Sequence, residues 1–245
     1  MNLFKLIFFS FLFFTLISCE KIIMSGEGED AERLENYEYF SKLSFYDIFD
    51  VVLKNDTVFS VRLESPEKFI DNISINLDSA ELVFRDENFA RWLPDYPRPK
   101  VTISLPRLDD QLLAKSPIKL TTSDTLRINS LNLVFLGKTG EFDLTMDVNS
   151  FYMVNGSDNY AFYYFRGFAK TAKFWPRGSS QIDASMLTTQ DCFIYNNSIG
   201  DCFVNASHKI EARLNTAGNV YYSGDPSEII ISEESGSGKL IRDDK

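Results

Sequence analysis

A period near twenty residues constrains this chain more than any other feature. With Gly140, Asp158, Ser180, Gly200, Gly218 and Gly238 set in one column, the intervals run 18, 22, 20, 18 and 20 residues. A unit of that length cannot bury its apolar face alone, so successive units must stack, and the architecture implied is a solenoid.

The flanking residues say that the units are strands. Two positions after the column stand Phe142, Tyr160, Ile182, Cys202, Val220 and Leu240, and four after it Leu144, Phe162, Ala184, Val204 and Tyr222. Asp143, Ala161, Asp183, Phe203 and Tyr221 fall between them. Alternation of period two marks a strand with one face buried. Six positions before the column, Val134, Tyr152, Phe174, Ile194 and Ala212 form a second inward set, so each unit supplies two strands and a corner. Gly137, Asn155, Arg177, Asn197, Asn215 and Ser235 occupy the corner, where Gly and Asn tolerate left-handed backbone and stacked amides can bond from turn to turn. The expected fold is an all-β, single-stranded parallel β-helix with rungs of about 20 residues. Upstream, strands are expected at 49–53, 59–63, 73–77, 81–84, 101–105 and 118–120, with a Pro-rich loop at 88–100 around Trp92.

The N-terminus has a different character. Lys5 precedes an almost unbroken apolar run, Leu6 to Ile17, which ends at Ser18-Cys19-Glu20-Lys21. The run is short of the roughly 20 residues that span a bilayer, and a small residue follows it, so it reads as a signal peptide. Leu16-Ile17-Ser18-Cys19 resembles the bacterial lipobox, which makes Cys19 the lipidated first residue of the mature chain. The expected organisation is a signal peptide at 1–18, a lipidated Cys and acidic tether at 19–42, and a β-helical domain at 43–245. Loss of Lys5 takes the formal charge from −10 to −11, which disfavours nucleic acid as a partner. Attachment to a membrane is expected through the lipid.

Several segments resemble the head GIN domain family of auto-transporter adhesins, over roughly residues 43–241. They are Phe45-Tyr46-Asp47-Ile48-Phe49-Asp50-Val51, Lys100-Val101-Thr102-Ile103-Ser104-Leu105-Pro106 and Ile182-Asp183-Ala184-Ser185-Met186-Leu187. Most specific are the stretch from Asn215 to Pro226 and Ser235-Gly236-Ser237-Gly238-Lys239-Leu240. The family's Ser-Gly corners are degraded here, at Gly156-Ser157-Asp158-Asn159 and Asn197-Ser198-Ile199-Gly200. The resemblance implies a right-handed β-helix on a lipoprotein of the Gram-negative cell envelope, outer membrane included, on its periplasmic or surface face. It names no ligand, because a fold does not carry a function.

Candidate sites are sparse. The outward set five positions before the column, Phe135, Met153, Trp175, Tyr195 and Arg213, is the expected binding face for a glycan or protein, since stacked exposed aromatics mark interaction surfaces. Outward Asp143 and Asp183 lie two rungs apart, about 9 to 10 Å from the usual strand spacing, a separation that suits an inverting glycoside hydrolase. Ala161 between them and the lack of a basic cluster count against a polysaccharide-cleaving enzyme. Ser237-Gly238-Lys239 is followed by Leu240, not Ser or Thr, so it is no phosphate loop, and His208 stands alone, which makes neither a metal site nor a triad. Cys192 and Cys202 are candidates for a disulfide or for apolar filling. Thr57, Ser79 and Thr125 sit in Asp-(Ser/Thr)-apolar triplets that resemble an O-glycosylation signal used by bacteria with this family. The expected function is adhesion or binding without catalysis, cofactor or metal, the alternative being a structural envelope component with no dedicated ligand.

Overall fold

Strands whose side chains alternate between apolar and polar need a partner for every backbone edge and a cover for every apolar face, and stacked parallel turns supply both. The computed structural model describes residues 29–89, 91–93 and 95–243. The signal peptide and Cys19 lie outside the described residues. In chain order the first strands are β1 (Asp30–Tyr37), β2 (Lys42–Phe45), β3 (Phe49–Asn55), β4 (Phe59–Pro66), β5 (Ile73–Asp78), β6 (Glu81–Asp86), β7 (Lys100–Leu105), β8 (Leu112–Ala114) and β9 (Ile118–Thr122). The repeat region adds β10 (Leu126–Phe135), β11 (Thr139–Asn155), β12 (Tyr160–Trp175), β13 (Arg177–Gly178), β14 (Gln181–Ser198), β15 (Cys202–Leu214), β16 (Val220–Ser223), β17 (Glu228–Glu234) and β18 (Leu240–Arg242). One short helix, α1 (Glu67–Ile70), accompanies them among the described residues. All six strands expected upstream are present.

The fold is a parallel β-solenoid. Its long wall stacks Val101, Val51, Leu120, Phe142, Tyr163, Ile182, Cys202, Val220 and Leu240 in one inward column. A short wall stacks Leu82, Leu43, Leu112, Leu133, Met153, Phe174, Ile194, Ala212 and Ile231. Both columns are buried except at the C-terminal turn, where Ile231 is exposed and Leu240 half-buried. In-register stacking brings like side chains face to face: the Phe45 and Phe84 rings stack at 4.5 Å, and Phe142 and Tyr163 at 4.6 Å. Each buried ring contributes about 1.5–3 kcal/mol, so the column is the main source of stability.

At the N-terminal end the turns do not stack in chain order. The turn β2–β3 lies between β6–β7 and β8–β9, because β2 pairs with both β6 and β8 and β3 with both β7 and β9. The outer edge that β6 and β7 would expose is covered by antiparallel strands, β5 on β6, β4 on β7 and β1 on β4. An open edge invites pairing with another chain, and this cap removes it. The cap also revises the expected tether: Asp30–Tyr37 is a strand, held by main-chain pairing and by Arg33, which donates to the Ile70 and Ile73 carbonyls at 3.3 and 2.8 Å.

The corners are buried and polar. The two N–H groups of the Asn155 side chain are shared among Asn159 Oδ1 (2.8 Å), Ser180 Oγ (2.6 Å) and the Arg177 carbonyl (3.1 Å), and its oxygen accepts from Arg177 N–H at 2.8 Å. Asn159 in turn donates to the Gly137 carbonyl at 2.6 Å, and one corner later Asn196 donates to the Gly218 carbonyl and Ser198 to the Ser180 carbonyl. Amides therefore do bond from turn to turn. Asn196, rather than the expected Asn197, is the inward member.

Two register corrections follow. The partner of Gly140 is Ala161, not Asp158, and Ala161 in turn lies level with Ser180, so the spacings there are 21 and 19 residues. A shift of three residues reverses every side chain. Tyr163 and Phe165 thus point inward where Tyr160 and Phe162 were expected, and Ala161 is buried. On the short wall, Leu133 to Phe142 spans nine residues and Met153 to Tyr163 ten, whereas Phe174 to Ile182, Ile194 to Cys202 and Ala212 to Val220 span eight. Counting back six from a fixed corner therefore works only for the later turns. Phe135 and Met153 are fully buried, and Val134 and Tyr152 face out.

Candidate binding surface

Because Ala161, Tyr163 and Phe165 fill the core, the intervening residues of β12 turn outward, and these are Tyr160, Phe162, Tyr164, Arg166 and, past the bend at Gly167, Phe168. Gly167 has φ +101°, and a Cβ there would lie 2.1 Å from the Met146 carbonyl oxygen, so the bend needs glycine. Tyr160, Tyr164 and Phe168 are exposed, by 51%, 38% and 42%, which makes this one strand the most aromatic part of the outer long wall. The Tyr160 and Phe162 rings meet edge to face at 5.2 Å. From Tyr160 to Arg166, before the bend, is roughly 20 Å at about 3.3 Å per residue. Beside Tyr160 and Phe162 runs a groove of about 240 Å³, bordered by Arg98, Pro117, Lys119 and Glu141. On later turns the same face carries Asp183, then Phe203 stacked on Tyr221 at 4.9 Å.

Polar groups punctuate the row. Arg166 pairs with Asp143, and Asp183 accepts from the Ser185 backbone N–H and hydroxyl at 3.1 and 2.6 Å. Tyr164, not Ala161, stands between Asp143 and Asp183. Each carboxylate is engaged locally, with Tyr164 on the strand between them. The surface suits stacking and hydrogen bonding.

The stripe expected from the sequence is present in part. Its outward column reads Val134, Val154, Trp175, Tyr195 and Arg213, with Phe135 and Met153 replaced by their neighbours. Trp175 and Tyr195 meet edge to face at 6.2 Å, and the Arg177 and Arg213 guanidiniums lie 4.6 Å from the two ring centroids. Cation–π contacts thus already occupy aromatic faces that a ligand would use.

Other candidate positions are plainly placed. Cys192 and Cys202 are free, fully buried thiols on the short and long walls, so no disulfide links them. Burial pushes the Cys192 thiol up to about 12 and the Cys202 thiol higher, with the Asp201 carboxylate a further cause for Cys202. His208 contacts Asp191 at 2.7 Å, and among the described residues no cluster of His, Cys, Asp and Glu is arranged to hold a metal ion. Thr57 and Ser79 are exposed and Thr125 half-buried, all three beside turns.

A family model described as "Putative auto-transporter adhesin, head GIN domain" matches residues 39–226, most of the chain. The chain belongs to this family. Solved structures share the fold of this head GIN chain. A putative adhesin from Bacteroides fragilis superposes with a TM-score of 0.73 at 16% identity, covering 89% of this chain and 99% of its own. A protein titled a putative lipid binding protein from Parabacteroides distasonis gives 0.57 at 16% identity, and a putative adhesin from Parabacteroides merdae 0.57 at 14%, each covering 89% of this chain and 98% of its own. At such identity the likeness concerns the fold alone. No curated protein matches the sequence. Membership in an adhesin family suggests a cell-envelope or surface setting, and no helix among the described residues is long and apolar enough to cross a membrane.

Proposed function

We propose that this head GIN protein is a non-enzymatic, lipid-anchored adhesion module that binds a glycan or protein partner through the outer long wall. The observation that carries the reading is the β12 row, where Tyr160, Phe162, Tyr164 and Phe168 face outward from a strand whose inward face is already satisfied by Tyr163 and Phe165. Exposed aromatics of this kind add nothing to the core, and their contiguity fits a stacking platform. The lipobox at Leu16-Ile17-Ser18-Cys19 supports anchoring through Cys19 in the outer membrane. Engagement of Asp143 by Arg166 and of Asp183 by Ser185 supports a surface without catalysis.

The test replaces Tyr160, Tyr164 and Phe168 with Ser in the full chain and measures attachment of expressing cells to immobilised mucin and to extracellular-matrix protein. Retention falls at least about tenfold, the equivalent of 1.4 kcal/mol, while the melting temperature stays within error. Replacement of Trp175 and Tyr195, whose faces are capped, leaves attachment unchanged. Full attachment by the triple variant defeats the reading and favours a structural envelope component.

A further inference from the structure

We propose that the connection between β6 and β7 is a membrane contact, with Phe89 and Trp92 entering the leaflet that holds the Cys19 lipid. The inference rests on the anchoring proposed above. Single exposed hydrophobics are ordinary, but Phe89 and Trp92 are 89% and 71% exposed, more than any other large hydrophobic described, and they stand three residues apart on one connection. Aromatic side chains of this kind favour the lipid headgroup boundary, where an apolar ring is buried and indole N–H stays hydrated. Exposed Arg91 stands between them in the chain and Arg98 beyond them, each near a carboxylate, Asp47 at 3.4 Å and Asp50 at 3.7 Å, and both remain about half accessible to lipid phosphates.

Asn88 and Tyr96, at the two ends of the connection, are held by contacts, whereas Phe89 and Trp92 are bare. Asp86 is buried and accepts from the Asn88 backbone and side-chain amides at 3.0 and 2.8 Å, and Asn88 also donates to the Phe69 carbonyl at 3.0 Å. The Tyr96 ring packs on Phe69 at 4.9 Å. A supported base fixes where the two aromatics are presented.

Chain geometry supplies the bilayer as the partner. The Glu67 N–H at the start of α1 donates to the Glu29 carbonyl at 3.0 Å, and Asp30 and Glu32 share a groove with Pro97 and Arg98. The first described residues therefore lie at the same end of the solenoid as the aromatic connection. Ten residue-to-residue steps run from Cys19 to Glu29 and reach roughly 36 Å at most when fully extended, so the aromatic tip lies within tether range of the acyl chains. A saccharide in the cleft of about 440 Å³ beside Trp92, Asp47 and Tyr96 is the competing occupant, but Phe89 does not line that cleft and its exposure would go unused.

The chain expressed with its N-terminal signal and carrying Trp175→Phe leaves Trp92 as the only tryptophan. It is reconstituted into vesicles of phosphatidylethanolamine and phosphatidylglycerol, with and without brominated acyl chains. Trp92 emission shifts to the blue and loses intensity in the brominated vesicles, and in the Trp92→Phe chain Trp175 emission does neither. Equal Trp92 emission in both vesicle types overturns the contact, as does emission that responds to added oligosaccharide and not to brominated lipid. Mass analysis of the N-terminal peptide separates the two readings: an acylated Cys19 with unquenched Trp92 removes only the loop contact, whereas an unmodified Cys19 removes both.

Discussion

Replacement of Asn155 by Ala probes the corner on which the stacking of turns depends. The change deletes the contacts of two amide N–H groups shared among three acceptors and the bond accepted from Arg177 N–H. Asn159 Oδ1 keeps its bond from Ser180, so the groups left without a partner are the N–H and carbonyl of Arg177. A stranded buried polar group costs about 1–3 kcal/mol, and Arg177 is only half-buried, so the loss should be about 3 kcal/mol. For a chain of this size that is a fall in Tm of roughly 6–12 °C. Differential scanning calorimetry of the full chain measures it, with Asn197→Ala as the control, because the Asn197 side chain takes no part in the corner bonds and its loss should stay within about 0.5 kcal/mol. If the two variants melt together, the buried amide ladder does not hold the corners.

Other expectations follow from the core. The Tyr163 hydroxyl is buried in the aromatic column without a hydrogen-bond partner, so Tyr163→Phe should stabilise the chain by about 1 kcal/mol in urea titrations, and destabilisation would reveal a partner for that hydroxyl. The Cys192 and Cys202 thiols stay protonated in the fold to about 12 or beyond, against an ordinary value of 9.0. The unfolded chain therefore releases those protons first, and stability falls as pH rises above about 9, by about 1.4 kcal/mol per pH unit for each thiol. Cys192→Ala combined with Cys202→Ala should flatten that decline in denaturant titrations between about pH 8 and about pH 10.5, and an unchanged slope would contradict thiol burial. In the native chain neither thiol should react with an aromatic disulfide reagent until denaturant is added.

The architecture was legible because a solenoid repeats its chemistry. Gly200, Gly218 and Gly238 and the inward Ile182, Cys202 and Val220 stand where the period puts them. Legibility failed where the repeat is irregular. β12 is aromatic on both faces, Tyr163 and Phe165 inward and Tyr160, Phe162 and Tyr164 outward, so apolar alternation could not fix its parity, and Asp158 looked as good a corner residue as its neighbours. The more even spacing through Ala161 was the available signal. Phe135 and Met153 face inward, against the period, because the early corners are longer than the late ones. The order of the N-terminal turns was hidden for a different reason: β2–β3 slots between later strands through pairings set by tertiary packing, and β1 joins by its backbone, leaving little apolar pattern to read.

Outward presentation of the β12 aromatics, together with the proposed display at the cell surface, is tested most directly by labelling. Intact cells expressing the chain with Tyr164→Cys are treated with a membrane-impermeant maleimide, alongside cells expressing the unaltered chain. Position 164 should label strongly while the unaltered chain, with Cys192 and Cys202 buried and Cys19 acylated as proposed, does not. Labelling that appears only after the cells are broken would place the row inside the envelope, and no labelling of the folded protein in either case would contradict the outward register itself.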